Sequence, residues 1–377
     1  MRPLLATFFW LNLAVAACAL DHVAFRRDGK DTSVSGRLIV KAEDGGLMIM
    51  SPDGELWSIQ PDELIDHRDD ETPFVPQSPD DAARAMLQQL PEGFEVYRTA
   101  HYVICHNTSR AYAQWCGALY ERLYSGFINY WRHRGFELHE PALPLVCVVF
   151  ANQGSYAQFA QDELGDGVER IVAYYSLRTN RVTMFDLAGL ESLRRPSDRR
   201  GTTAQISQML ARPEATRMVA TVIHEASHQI AFNCGLHARF ADIPLWVSEG
   251  VAMYFEAPDL ANSQGWKTIG QVNRPRLKTL REYQMRRPAG SLHSLIVDDK
   301  RLRDPRQATE AYAEAWALNY FLIRQKPKEY VKYLQQLSQK GALVWDEPEE
   351  RLCEFEAAFG KLDKLDVEFV RYMRKVR

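Results

Sequence analysis

The chain has little of what many binding modules depend on. Its 46 lysines and arginines are outnumbered by 49 aspartates and glutamates, for a formal net charge of -3. It lacks the basic stripe that would neutralise phosphates, so nucleic acid is not expected as a partner. There is no glycine-rich phosphate loop of the Walker or dinucleotide kind, and no repeat of solenoid period. Cysteines number six and none forms a C-x-x-C pair, which argues against a disulfide framework. Cys105 and Cys147 lie in apolar runs and read as buried small hydrophobes. An apolar fraction of 46% over 377 residues excludes disorder and predicts one large or two modest domains.

Long hydrophobic runs are scarce as well. The exception is the N-terminus, where Arg2 precedes an apolar run from Leu4 to about Leu20 that ends in small residues. A basic start, an apolar middle and small residues at the end predict an export signal over 1–20. Ala14-Val15-Ala16 fits the A-x-A cleavage rule, whereas Val15-Ala16-Ala17-Cys18 resembles a bacterial lipobox that would place a lipid on Cys18. An uncleaved anchor is a third reading, since the run is long enough to span a bilayer. The expected location is the periplasm, cell envelope or exterior. Membrane contact is expected only through that lipid or that anchor.

What is present reads as an α+β chain. Residues 36–60 predict three short strands turned at Asp44-Gly45 and Asp53-Gly54, because glycine tolerates the positive φ of tight hairpins. This places a small β module at 21–66. The acidic stretch His67–Pro73 reads as a linker, and with a short helix at about 79–90 it fills 67–93. A larger unit covers 94–377. In it, Phe94–His106 reads as a strand, Ser109–Arg134 as an amphipathic helix and Leu143–Phe150 as a buried strand. Ile171–Tyr175 and Arg181–Asp186 read as a hairpin. Arg194-Arg195-Pro196-Ser197-Asp198-Arg199-Arg200 reads as a solvated loop rather than an anion patch. Pro213 opens a helix that Gly235 ends. Helical segments follow near 275–286, 291–298, 309–324, 328–339 and 348–375.

The helix after Pro213 carries His224-Glu225-Ala226-Ser227-His228. Residues four apart lie on one helix face, so two imidazoles address one point at a spacing that suits tetrahedral zinc. Glu225 can then reach a water at that point without being a ligand. The flanks Val222, Ile223, Ile230, Ala231 and Phe232 predict a buried helix, where unpaired polar groups are costly and a metal would satisfy them. A catalytic zinc takes three protein ligands and keeps one open position. Glu249, Glu256, His237 and Asp242 are the candidates for the third. Glu249 is preferred because apolar and small residues surround it in a second helix, Trp246–Glu256. Glu256, two turns on, is the main alternative. His237 reads as a surface residue of the intervening loop.

The H-E-x-x-H helix followed by Trp246-Val247-Ser248-Glu249-Gly250-Val251-Ala252-Met253-Tyr254-Phe255-Glu256 resembles the gluzincins, zinc peptidases whose third ligand is a glutamate on a second helix. It is most similar to a peptidase-MA-like group of exported bacterial proteins catalogued as a domain of unknown function, over about 94–375. Ser248 stands where the aminopeptidase branch has asparagine, and the spacing from His228 to Glu249 is longer than in that branch. No G-x-M-E-N exopeptidase motif precedes the helix, so aminopeptidase activity is not implied. The resemblance implies a zincin-like fold, a mixed sheet with an active-site helix and then a helical lobe. It implies one Zn2+ held by His224, His228 and Glu249, with Glu225 as general base and a peptide or protein as substrate. It further suggests a tyrosine from the C-terminal helices as oxyanion donor, for which Tyr312 is chosen, and an edge strand at Arg181–Asp186 for aligning substrate. The expected activity is that of an endopeptidase-like zinc hydrolase. The alternatives are a zincin-fold scaffold with little turnover, or a zinc hydrolase of a non-peptide amide such as a cell-wall bond.

Overall fold

A computed structural model describes residues 19–195, 198–260 and 266–377. Both cleavage positions read for the leader, with Cys18 itself, lie outside the described residues. The architecture is α+β, with two five-stranded sheets and thirteen α-helices among the described residues. The chain divides into two compact units, Met1–Pro76 and Gln77–Arg377. No described helix is long and apolar enough to cross a membrane.

The first unit is an antiparallel sheet of β1 (Ala19–Arg27), β2 (Lys30–Lys41), β3 (Leu47–Met50), β4 (Leu56–Ile59) and β5 (Leu64–Pro73), in the order β4-β3-β2-β1-β5. Val23, Phe25, Val34, Leu47, Ile49 and Ile59 form its core. Two strands here were not expected. One is β1. The other is β5, which occupies the acidic stretch read as a linker. Its charges do not prevent strand pairing, because β1 supplies partners across the ladder. His22 Nε2 lies 2.9 Å from Asp70, and His67 Nε2 lies 2.7 Å from Asp21. Hydrogen-bonded side-chain pairs across two strands support the pairing.

The second unit opens with α1 (Pro79–Gln89). The expected strand over 94–106 is instead a hairpin of β6 (Glu95–Arg98) and β7 (Tyr102–His106). Ser109 caps α2 (Arg110–Arg132) by accepting a hydrogen bond from the Tyr112 N–H, which satisfies a first-turn donor. β8 (Leu145–Phe150), α3 (Gln153–Leu164), β9 (Ala173–Tyr175) and β10 (Arg181–Phe185) complete a mixed sheet of order β6-β7-β8-β10-β9. β10 pairs parallel to β8 and antiparallel to β9. The edge beside the later helices is therefore β9, and Arg181–Asp186 is not the edge strand. β8 is buried at every residue, as a continuous apolar run predicts. Cys105, Cys116, Cys147 and Cys234 are buried free thiols, and Cys353 is exposed.

The remaining helices are α4 (Thr203–Leu210), α5 (Pro213–Asn233), α6 (Leu245–Phe255), α7 (Arg274–Gln284), α8 (Ser291–Ile296), α9 (Lys300–Arg303), α10 (Ala308–Gln325), α11 (Pro327–Ser338), α12 (Pro348–Phe359) and α13 (Leu362–Met373). The expected helix over 348–375 is thus two, parted at Gly360 with φ +90°. The loop around Arg195 is described except for residues 196 and 197. Asp198 there binds Arg212 at 2.5 and 2.9 Å, so part of this basic stretch is tied down.

Candidate metal centre

α5 is placed by its own sequence. Pro213 needs no amide partner in the first turn, and Gly235, with φ +87°, stops the helix. Val219, Val222, Ile223, Ala226, Ile230 and Ala231 are buried. Gln229, fully buried, pins the helix to the sheet. Its amide donates to the Val146 carbonyl at 2.9 Å and to the Asn180 carbonyl at 3.0 Å. His224, Glu225, His228 and Phe232 are left along a cleft of about 630 Å³.

α6 crosses this face so that Glu249 reaches both histidines. Glu249 Oε2 lies 3.1 Å from His224 Nε2, and the two Nε2 atoms are 3.1 Å apart. Glu249 Oε1 is 3.6 Å from His228 Nε2. Zinc bonds of about 2.0–2.1 Å in a tetrahedron place neighbouring ligand atoms about 3.3–3.4 Å apart. The observed separations bracket that value. The donor set therefore fits one ion, and His224, His228 and Glu249 together could hold a metal. The approach of α6 to α10 depends on Gly250. A Cβ there would lie 1.7 Å from the Asn319 Nδ2 atom, and that amide is held by the Trp246 carbonyl at 2.7 Å.

The other three candidates for third ligand are placed elsewhere. Glu256 is on the far side of His224, with Oε2 2.9 Å from Nδ1. Nδ1–H donates to that carboxylate, so the nitrogen left for a metal is Nε2, the one that faces Glu249. Asn273 donates to the second oxygen of Glu256 at 2.5 Å. Asp242 is fully buried and paired with Arg351. His237 is not on the surface as expected. It is 1% exposed and packed against Phe232, and among the described residues neither ring nitrogen has a hydrogen-bond partner. The loop folds under α5, and its backbone N–H bonds the Ala231 carbonyl at 3.0 Å.

Charge follows from this packing. Burial pushes the Glu249 carboxyl up, but the two histidines outweigh it and hold the group well below the ordinary range. Burial works against charge on His224, yet Glu249 and Glu256 raise it well above the usual histidine value. A cation is favoured at this point, whether proton or metal. Glu225 behaves differently. Burial pushes it above the usual carboxylate value, and the neighbouring histidines only partly oppose this. Its Oε2 accepts the Tyr175 N–H at 2.9 Å, so the end of edge strand β9 orients it. Tyr312, on α10, lines the same cleft. Burial and the charge of Glu249 push its phenol up, so it keeps its proton at neutral pH.

Two site residues escaped the reading of the sequence, and a third stands in another role. Glu256, the alternative third ligand, instead accepts a hydrogen bond from His224 Nδ1. Gln229 and Asn273 carry no motif, and only the tertiary contacts give them roles. Residues 218–343, roughly a third of the chain, match a family described as a protein of unknown function (DUF1570). The matched segment runs from α5 into the loop after α11 and includes all three ligand candidates. The search of curated proteins finds no match.

Proposed function

We propose that the protein is a zinc-dependent metallopeptidase of the gluzincin type with a zincin-like fold, exported by the cell and acting on peptide or protein substrates. The observation that carries this reading is the convergence of His224 Nε2, His228 Nε2 and Glu249 on one point, with the non-ligand Glu225 beside it in a cleft. Bound zinc would supply an activated water and polarise the scissile carbonyl.

The protein's own groups do the rest. Glu225, raised by burial and oriented by the Tyr175 N–H, takes the proton of the attacking water and hands it to the leaving amine. Tyr312, protonated and facing the cleft, donates a hydrogen bond where negative charge develops. Glu256 fixes the tautomer and ring of His224. The edge of β9 offers backbone groups for an extended substrate.

The experiment is turnover of a peptide library and of casein by the zinc-loaded chain, beside Glu225→Gln. Cleavage that the variant abolishes while it retains zinc supports the reading. A folded, zinc-loaded wild type that cleaves no peptide leaves a scaffold. Release from peptidoglycan alone moves the activity to a cell-wall amide.

A further inference from the structure

The cleft has two chemically different ends. α5 runs along it from Thr221, past His224 and His228, to Phe232, about 16 Å at the helical rise. That is room for about five residues of extended peptide. At the Phe232 end the lining is mostly apolar, with Tyr175, Leu177, Phe240, Ile243 and Leu245, and the charged Asp299 beside it is already bonded to the Leu245 N–H. The Phe240 carbonyl accepts the Leu343 N–H at 2.8 Å and Ala241 bridges Ala342. This brings the following loop to the cleft, where Trp345 lines the wall and is 61% exposed.

The His224 end is different. Asn273 binds Glu256, which binds His224, so the first turn of α7 stands beside that ligand. One turn further, Arg276 faces the cleft with its guanidinium 5.4 Å from the Tyr312 ring centre. The cleft carboxylates already have partners. Glu225 has the Tyr175 N–H, Glu249 has the histidines, and Asp299 has Arg351, Arg303 and the Leu245 N–H. Among the described residues no carboxylate pairs with Arg276. It is a half-buried cation, pre-oriented on an aromatic face, with its donors unclaimed by acid.

We propose that Arg276 binds a carboxylate of the substrate, on the C-terminal side of the scissile bond, while the Phe232–Phe240–Trp345 end takes an apolar side chain on the N-terminal side. This deepens the peptidase reading and rests on it. The direction comes from the sheet. Asn180, just before β10, bonds Asn233, and Gln229 bonds its carbonyl, so β10 starts at the C-terminal part of α5. It ends by the turn that packs on α4, which leads into the start of α5. β10 therefore runs against α5, and β9, antiparallel to β10, runs with it. A peptide added antiparallel to β9 runs from Phe232 towards Arg276. The carboxylate is either a free C-terminus or an Asp or Glu side chain, since the guanidinium fork matches both.

The test uses the full zinc-loaded chain and quenched peptides with an apolar residue before the cleaved bond. After that bond they carry Glu or Gln within two residues, or a free or amidated C-terminus. Binding of the same peptides to Glu225→Gln is read by fluorescence anisotropy, which needs no turnover. The acid forms should be bound and cleaved about tenfold to a hundredfold better than their amides. Arg276→Gln should erase that preference, and Arg276→Glu should transfer it to Lys-bearing peptides. The arm in which the preference appears identifies the source of the carboxylate. Cleavage without an acid preference, or a preference that survives Arg276→Gln, overturns this inference and spares the peptidase. An Arg276-dependent binding preference without cleavage does the reverse. The absence of both refutes both.

Discussion

Replacing Glu256 distinguishes a ligand from the residue that supports one. Its carboxylate accepts from His224 Nδ1 at 2.9 Å, with both side chains under 15% exposed. A charge-assisted hydrogen bond is worth about 1.5–3 kcal/mol, against about 0.5–1.5 for a neutral one. Glu256→Gln keeps an acceptor for Nδ1–H and loses the charge, so zinc affinity should fall about fivefold to tenfold. Glu256→Ala loses both and should fall about tenfold to a hundredfold. Glu249→Ala removes a ligand and should fall much further. Competition with a chromophoric chelator at fixed neutral pH measures all three. If Glu256→Ala bound zinc as tightly as wild type, the supporting role would be refuted. If it matched Glu249→Ala, Glu256 would be a ligand and the assignment of the two glutamates would be wrong.

Tyr312→Phe should lower kcat about a hundredfold to a thousandfold with little change in KM, and an unchanged kcat in steady-state assays would remove it from the oxyanion site. His237, pushed down to about 3 mainly by burial, stays neutral in the folded chain while the unfolded chain takes up a proton below about 6.5. Stability is therefore lost as pH falls through that interval, by about 1.4 kcal/mol at about pH 5.5. The melting temperature of the metal-free wild type should accordingly fall about 2–4 °C more than that of His237→Phe between neutral pH and that point, and parallel curves would contradict the burial of a neutral ring. Gly250→Ala forces a Cβ onto the Asn319 amide and should cost about 1–3 kcal/mol. Urea unfolding within about 0.5 kcal/mol of wild type would show that the α6–α10 contact is looser than described.

The centre of the site was legible because local rules sufficed. Pro213 and Gly235 bound α5, and the four-residue spacing fixes which face carries His224 and His228. Glu249 was separable from Glu256 only in part. Both project from α6 towards α5, and the choice depends on which pole of the imidazole each meets. That is set by the crossing of two helices, not by spacing. The edge strand was misassigned because strand order is tertiary. Nothing in Arg181–Asp186 records that β9 lies outside it. β5 reads as a linker because seven of its ten residues are charged residues, histidine or proline, and its hydrogen-bond partners His22 and Asp21 are more than forty residues away. Arg276 is one of 46 basic residues. Its setting becomes visible only when α7 is seen docked on Glu256 through Asn273.

The account stands on a three-ligand metal site, and metal content by mass spectrometry of the purified chain tests that most directly. About one zinc per wild-type chain, largely lost in Glu249→Ala while the fold is retained, is the predicted result. A folded wild type that takes up no zinc on reconstitution would contradict it, as would a Glu249→Ala variant that keeps its full complement.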